Sequence, residues 1–136
     1  MKVKEYLQRG WKLKAAIELK QRQLEFWRNL STNTSNNLSN TGGGSGNVNA
    51  KVERAMMQVL DLEREINADM EQLAILEGKT LHYISATPLE KTDKALLEMR
   101  YVGYQTWRKI AKSLNYAESH LWLRHRLILK KLENNK

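Results

Sequence analysis

Helix-ending residues crowd the segment from Leu96 to Leu127, so it can fold only as short helices joined by tight corners. Gly103 closes a first helix, because glycine suits the backbone conformations found just beyond a helix end. Thr106 can cap a second, its hydroxyl accepting a bond from an orphan backbone N–H in the first turn. Ile110, Ala111 and Leu114 then share one face at helical spacing. Asn115-Tyr116 makes a sharp corner, since Asn tolerates the left-handed conformation better than most residues. A third helix is expected to begin near Ala117, with Glu118, Ser119 and His120 in its first turn. Ala111 stands where two helices must approach closely, and a small side chain permits it. The pattern predicts a helix-turn-helix, an arrangement able to place one short helix in a DNA major groove.

Upstream, Ser85-Ala-Thr-Pro-Leu-Glu reads as a capping box, with Thr87 as N-cap, Pro88 at the first helical position and Glu90 three residues after the threonine. It predicts a helix from Pro88 to about Val102 and a C-terminal domain over 88–136. Residues 31–49 are a polar, low-complexity stretch too poor in apolar side chains to offset the entropy of ordering, and are expected to be a flexible link. Their Gly-Gly-Gly-Ser-Gly is not a phosphate loop, because no Gly-Lys-Ser/Thr follows.

On either side of the link lie two helices. The first, about 4–29, aligns Leu7, Trp11, Ile17, Leu24 and Trp27. The second, about 48–85, repeats Val52, Met56, Val59, Ile66, Met70 and Leu73 in a heptad-like seam that Glu77 and Gly78 are expected to interrupt. Neither helix can hide its stripe alone. An antiparallel hairpin within residues 1–87 meets that need, and so does an intermolecular bundle. The fold class expected is all-α: a long helical hairpin or coiled-coil arm, then a three-helix helix-turn-helix domain.

The chain has no cysteine, which excludes disulfides and thiolate metal sites and suits a reducing cytoplasm. It shows no secretory leader and no apolar run long enough to span a bilayer, so a cytoplasmic protein without a membrane partner is expected. The net charge of +8 is unevenly spread. Residues 1–30 hold 8 basic and 3 acidic side chains, residues 48–87 hold 4 and 7, and residues 88–136 hold 11 and 5. A basic C-terminal module favours a polyanion, since each phosphate contact releases condensed counterions.

The frame Leu97, Arg100, Tyr101, Gly103, then Thr106, Trp107, Ile110, Ala111, Leu114, Tyr116, Glu118, Ser119 and His120, closing on Lys131-Leu132, resembles region four of bacterial sigma factors. More closely, it resembles the sigma-like RinA/ArpU-type regulators of Gram-positive phages and prophages. The likeness covers roughly residues 95–132. It departs from the family at Ala117, where a capping serine is common, at Arg108 and Lys109, where acids are common, and in the order of Leu123-Arg124. The resemblance implies a DNA-binding transcriptional regulator of phage or prophage genes. Its partner would be duplex DNA; contact with RNA polymerase and homo-oligomerisation through the helical arm stay open. A terminase small subunit-like DNA-recognition protein and a coiled-coil adaptor without DNA binding are the alternatives.

The residues expected at DNA are Thr106, Arg108 and Lys109 at the start of the second helix, whose free N–H groups and positive dipole end suit a phosphate. Glu118, Ser119 and His120 are the expected base readers. Arg124, Arg126 and Lys130 suit phosphate anchoring further along. Trp107 is expected against the preceding helix, while adjacent Trp122 and Leu123 cannot both face inward. No enzymatic activity, cofactor or metal site is expected. His82, His120 and His125 form no His-x-x-x-His pair with a carboxylate between them, and no Ser nucleophile has a neighbouring base.

Overall fold

The structure, a computed structural model, describes the backbone of residues 1–41 and 45–135 and the side chains of residues 1–32 and 49–135. The described chain is helical: α1 (Val3–Leu7), α2 (Arg9–Thr41), α3 (Ser45–Ala86), α4 (Lys91–Tyr101), α5 (Trp107–Leu114) and α6 (Glu118–Asn134). The fold is all-α, with a long α2–α3 hairpin followed by the shorter helices α4–α6. Gln8 separates α1 from α2, and there the side chain of Arg9 donates to the carbonyl of Tyr6 at 3.0 Å. The link expected at 31–49 is entered by α2 as far as Thr41 and by α3 from Ser45; its residues 42–44 lie outside the described ones.

The chain divides into two compact units, residues 1–13 with 73–136 and residues 14–72. In the first, Val3 and Leu7 of α1, Ile84 of α3, Leu89, Leu96 and Leu97, Ile110 and Ala111, and Leu121, Ile128 and Leu132 form one buried core. Both chain ends therefore share a core, whereas the sequence reading divided the chain between residues 87 and 88. The backbone N–H of Val3 also donates to the carboxylate of Glu133, 130 positions away, at 2.9 Å. No local pattern announces such a contact.

In the second unit, Ile17 and Leu24 of α2 are buried, as are Ala55, Leu62 and Ile66 of α3. Lys20 bonds Asp69 at 2.6 Å and Arg28 bonds Glu63 at 2.8 Å, so the helices run antiparallel. The seam differs from expectation at two positions: Met56 and Met70 are 53% and 51% exposed. The inward face instead steps through Val52, Ala55, Val59, Leu62, Ile66 and Asp69, alternating three and four residues, and within the first unit α3 keeps the same rhythm through Leu73, Leu76 and Thr80. Glu77 and Gly78 do not interrupt it, because they fall beside that register and α3 runs unbroken to Ala86. Hydrophobicity alone misled here: a polar Asp69 occupies an inward position because Lys20 neutralises it.

The capping box at Thr87 does not form. The Thr87 hydroxyl donates to the carbonyl of Ile84 at 2.6 Å, as does its backbone N–H at 3.1 Å, so Thr87 closes α3 rather than opening α4. Leu89 is drawn into the core, and α4 begins only at Lys91, with Glu90 as an N-cap lacking a side-chain bond.

Candidate nucleic-acid interface

Helices α5 and α6 meet as their sequence predicts. The Thr106 hydroxyl accepts from the backbone N–H of Lys109 at 3.2 Å, which fixes the start of α5. Asn115 adopts the left-handed conformation (φ 61°, ψ 40°), and Tyr116 then donates its N–H to the carbonyl of Ala111 at 2.9 Å. Ala111 is buried, as close helix approach requires. Ahead of α5, Gly103 donates to Glu98 at 2.9 Å, and an added Cβ would sit 2.9 Å from the carbonyl oxygen of Met99. Only glycine fits that corner. Ala117 precedes α6 without a side-chain cap, leaving the N–H groups of its first turn unclaimed by that residue.

Glu118, Ser119 and His120 are all exposed in that first turn. The ring of His120 packs edge-on against Tyr116, with centroids 4.9 Å apart, which limits where its nitrogens can point. Thr106, Arg108 and Lys109 are exposed at the start of α5, and Arg126 and Lys130 are exposed along α6. The structure does not add Arg124 to that exposed set. Its Nε and terminal nitrogen donate to both oxygens of Asp93 at 2.8 and 2.5 Å, and the Asp93 side chain is only 7% exposed. The pairing raises the pKa of Arg124 and locks α6 to α4. A buried carboxylate needs such a partner. Asp93, two residues into α4, carried no sequence signal for this role.

Beneath the exposed face, aromatic rings hold the helices in register. Trp107 packs against Trp122 and His125 of α6, each with ring centroids 4.6 Å apart. It also meets α4: the Arg100 guanidinium lies 4.5 Å from the Trp107 ring and 4.4 Å from that of Trp11. Arg100 is thus sandwiched between two indoles and donates to the carbonyl of Gln105 at 2.9 Å, while Trp11 donates its indole N–H to the carbonyl of Arg100 at 2.8 Å. Burial lowers the Arg100 pKa, and stacked indoles compensate part of the lost hydration. The second buried polar contact joins the Tyr101 hydroxyl and His125 Nε2 at 2.6 Å. Burial, with Lys4 and Arg100 nearby, lowers the His125 pKa to about 4, so the ring is neutral. Burial also raises Tyr101 to about 12.

Trp122 and Leu123 are each 50% exposed and Leu127 49%. Neither neighbour is fully inward: the indole leans on Trp107, and Leu123 faces outward with Leu127 one turn away. Among the described residues, no group of three His, Cys, Asp or Glu side chains could hold a metal ion, and no helix is long and apolar enough to cross a membrane. No protein-family model matches the chain, and neither does any curated protein or solved structure.

Proposed function

We propose that the chain is a DNA-binding transcriptional regulator, of the kind its resemblance to sigma-like phage and prophage regulators implies, and that it presents the first turn of α6 to the major groove of duplex DNA. One observation carries the reading: Glu118, Ser119 and His120 stand exposed immediately after a sharp left-handed corner, with exposed Arg108 and Lys109 at the start of the preceding helix. Chemistry supports the division of roles. Glutamate accepts from cytosine N4, serine serves as donor or acceptor, and histidine donates to a purine N7. The α5 N-terminus and its two cations suit a phosphate, as Arg126 and Lys130 do farther along α6. Arg124 is left out of that set because Asp93 occupies it.

A second reading has its own observation. Leu123 and Leu127 form an exposed apolar ridge on α6, which suits a protein partner and hence an adaptor. RNA polymerase is one protein such a ridge could meet.

Anisotropy titrations of labelled random duplex against salt concentration test the reading. The intact protein is expected to bind, with affinity falling steeply as salt rises. Arg108→Ala should weaken binding to all duplexes alike and flatten the log–log salt slope by about one. Absence of binding at every protein concentration in low salt rejects DNA recognition and leaves the adaptor. Unchanged affinity and slope in the variant removes Arg108 from the interface.

A further inference from the structure

On α6 the line that faces away from the core runs through Ser119, Leu123, Arg126 and Lys130, in steps of four, three and four residues. All four are exposed, on the side of the helix opposite the buried Leu121, His125, Ile128 and Leu132. The double bond from Arg124 to Asp93 fixes the rotation of α6 about its own axis, so the line is held outward. Its chemistry changes along its length. Ser119 stands in the first turn, Leu123 one turn on and about 6 Å farther along the axis, and the two cations follow within about 11 Å of the leucine. Neither Arg126 nor Lys130 takes part in an ion pair found among the described residues. Residues 119–130 contain no acidic side chain. Glu133, beyond the end of the line, is engaged by the backbone N–H of Val3. Leu127 is rotated about 40° from Leu123 and stands at the edge of the line.

Building on the DNA-binding reading above, we infer that Leu123 reads thymine in the major groove, its side chain packing on the C5 methyl group of a base within about two base pairs of the one that Ser119 meets. A helix that brings Ser119 to base edges carries Leu123 in with it, because the two lie on adjacent turns and about 40° apart around the axis. Leucine offers no donor and no acceptor. In the major groove the thymine methyl is the apolar group that the four bases present, and the remaining groups there donate or accept hydrogen bonds. Against the methyl, two apolar surfaces leave water together. Against the cytosine amino group or the guanine oxygen, the same side chain displaces water and returns no bond. Attraction and repulsion therefore select one base. Charge favours duplex DNA as the occupant of this face. Phosphates border both sides of a groove, and the line supplies Arg126 and Lys130 to them beyond the leucine. An apolar helix of a protein partner would leave Ser119 and both cations without counterparts.

Selection of duplexes from a random library by the full chain, followed by anisotropy titration of the enriched site, tests the contact. Each thymine of that site is replaced in turn by uracil, which lacks only the methyl group. One replacement is expected to weaken binding about fourfold, the effect of a single buried methyl. Leu123→Ala should then bind the thymine and uracil duplexes equally, with the salt slope unchanged because no cation is removed. The variant should keep its fold, since Leu123 is half-exposed and alanine is a strong helix former. The uracil series on the unaltered protein stands without any variant. An enriched site at which no uracil matters overturns the thymine contact and leaves DNA binding intact. A methyl effect that persists in Leu123→Ala also overturns it, and frees the leucine for a protein partner. Failure to bind or enrich any duplex overturns the DNA-binding reading and the thymine contact together.

Discussion

In residues 1–13 with 73–136, side chains from α1, α3, α4, α5 and α6 converge on one core, whereas in residues 14–72 each helix has only the other to lean on. The consequences show in burial. Leu7, Ile84, Leu96, Leu97, Ile110 and Leu121 are wholly inaccessible in the first unit; in the second the small Ala55 is too, while the larger Ile17, Leu24, Leu62 and Ile66 retain a few percent of their surface. Polar groups are treated differently as well. The first unit buries Asp93 beneath Arg124 and His125 beside Tyr101. The hairpin uses Lys20–Asp69 and Arg28–Glu63, whose side chains stay partly in water. Convergence of several helices shields Asp93 and His125 from water, so each takes a protein partner, whereas the two-helix seam leaves its charged pairs partly hydrated. Exposed pairs of the second kind typically contribute under about 1 kcal/mol.

The largest expected effect comes from cutting a hole in the convergent core. Leu97→Ala should destabilise the protein by roughly 2–5 kcal/mol, because its surroundings on several helices cannot all collapse into the space. Leu24→Ala should fall at or below the low end of that range, since a groove lined by Arg28, Glu63, Ile66 and Asn67 already borders the side chain. Denaturant titrations followed by far-ultraviolet circular dichroism would compare the two. Equal losses would mean that the seam is packed as tightly as the core, and the contrast between the units would fail.

Acid should separate the units next. His125 has a folded pKa of about 4 against an ordinary value near 6.5. Its neutral form is favoured in the fold, so the unfolded chain binds the proton first. Stability is therefore lost as pH falls through the window from about 6.5 to 4, and the loss levels off below it. The cost approaches about 3 kcal/mol at most. Trp11, Trp107 and Trp122 belong to the first unit and Trp27 to the second, so tryptophan fluorescence weights the unit that holds His125. Urea midpoints measured from pH 7 to pH 4 should fall in the wild type and fall less in His125→Gln. Parallel lines for the two proteins would show that the ring does not govern the acid limb.

What the sequence disclosed follows from how far apart the interacting residues lie. The Thr106 cap, the left-handed Asn115 and the Gly103 corner each act on neighbours a few positions away, and each stands where the residues foretold. The all-α class and the hairpin followed from periodicity. Misreadings arose where a distant partner outweighed local preference. Thr87 is a sound N-cap residue by composition, but packing Leu89 into the core turned its hydroxyl back to Ile84. Met56 and Met70 out-rank Ala55 and Asp69 in hydropathy, yet the antiparallel register admits the small and the paired residue instead. Arg124, expected as a phosphate anchor beside Arg126 and Lys130, pairs with Asp93, 31 positions earlier, a partner that no local pattern announces. The docking of Val3 and Leu7 onto the C-terminal helices left no trace in their own surroundings.

The smallest effect discriminates local backbone preference from packing. Gly78 lies within α3 with nothing inside 4 Å of where a Cβ would project, whereas a Cβ on Gly103 would press on the carbonyl of Met99. The same substitution should therefore have opposite signs at the two positions. Gly78→Ala removes backbone freedom from the unfolded chain at no steric cost, and is expected to stabilise the protein by about 0.5–1 kcal/mol. Gly103→Ala should destabilise it, because the backbone carbonyl cannot swing aside without disturbing the end of α4. Thermal midpoints of the two variants against wild type provide the measurement. A lowered midpoint for Gly78→Ala would mean that α3 does not pass through that position as a continuous helix, and the seam through Leu73, Leu76 and Thr80 would have to end where the sequence first suggested.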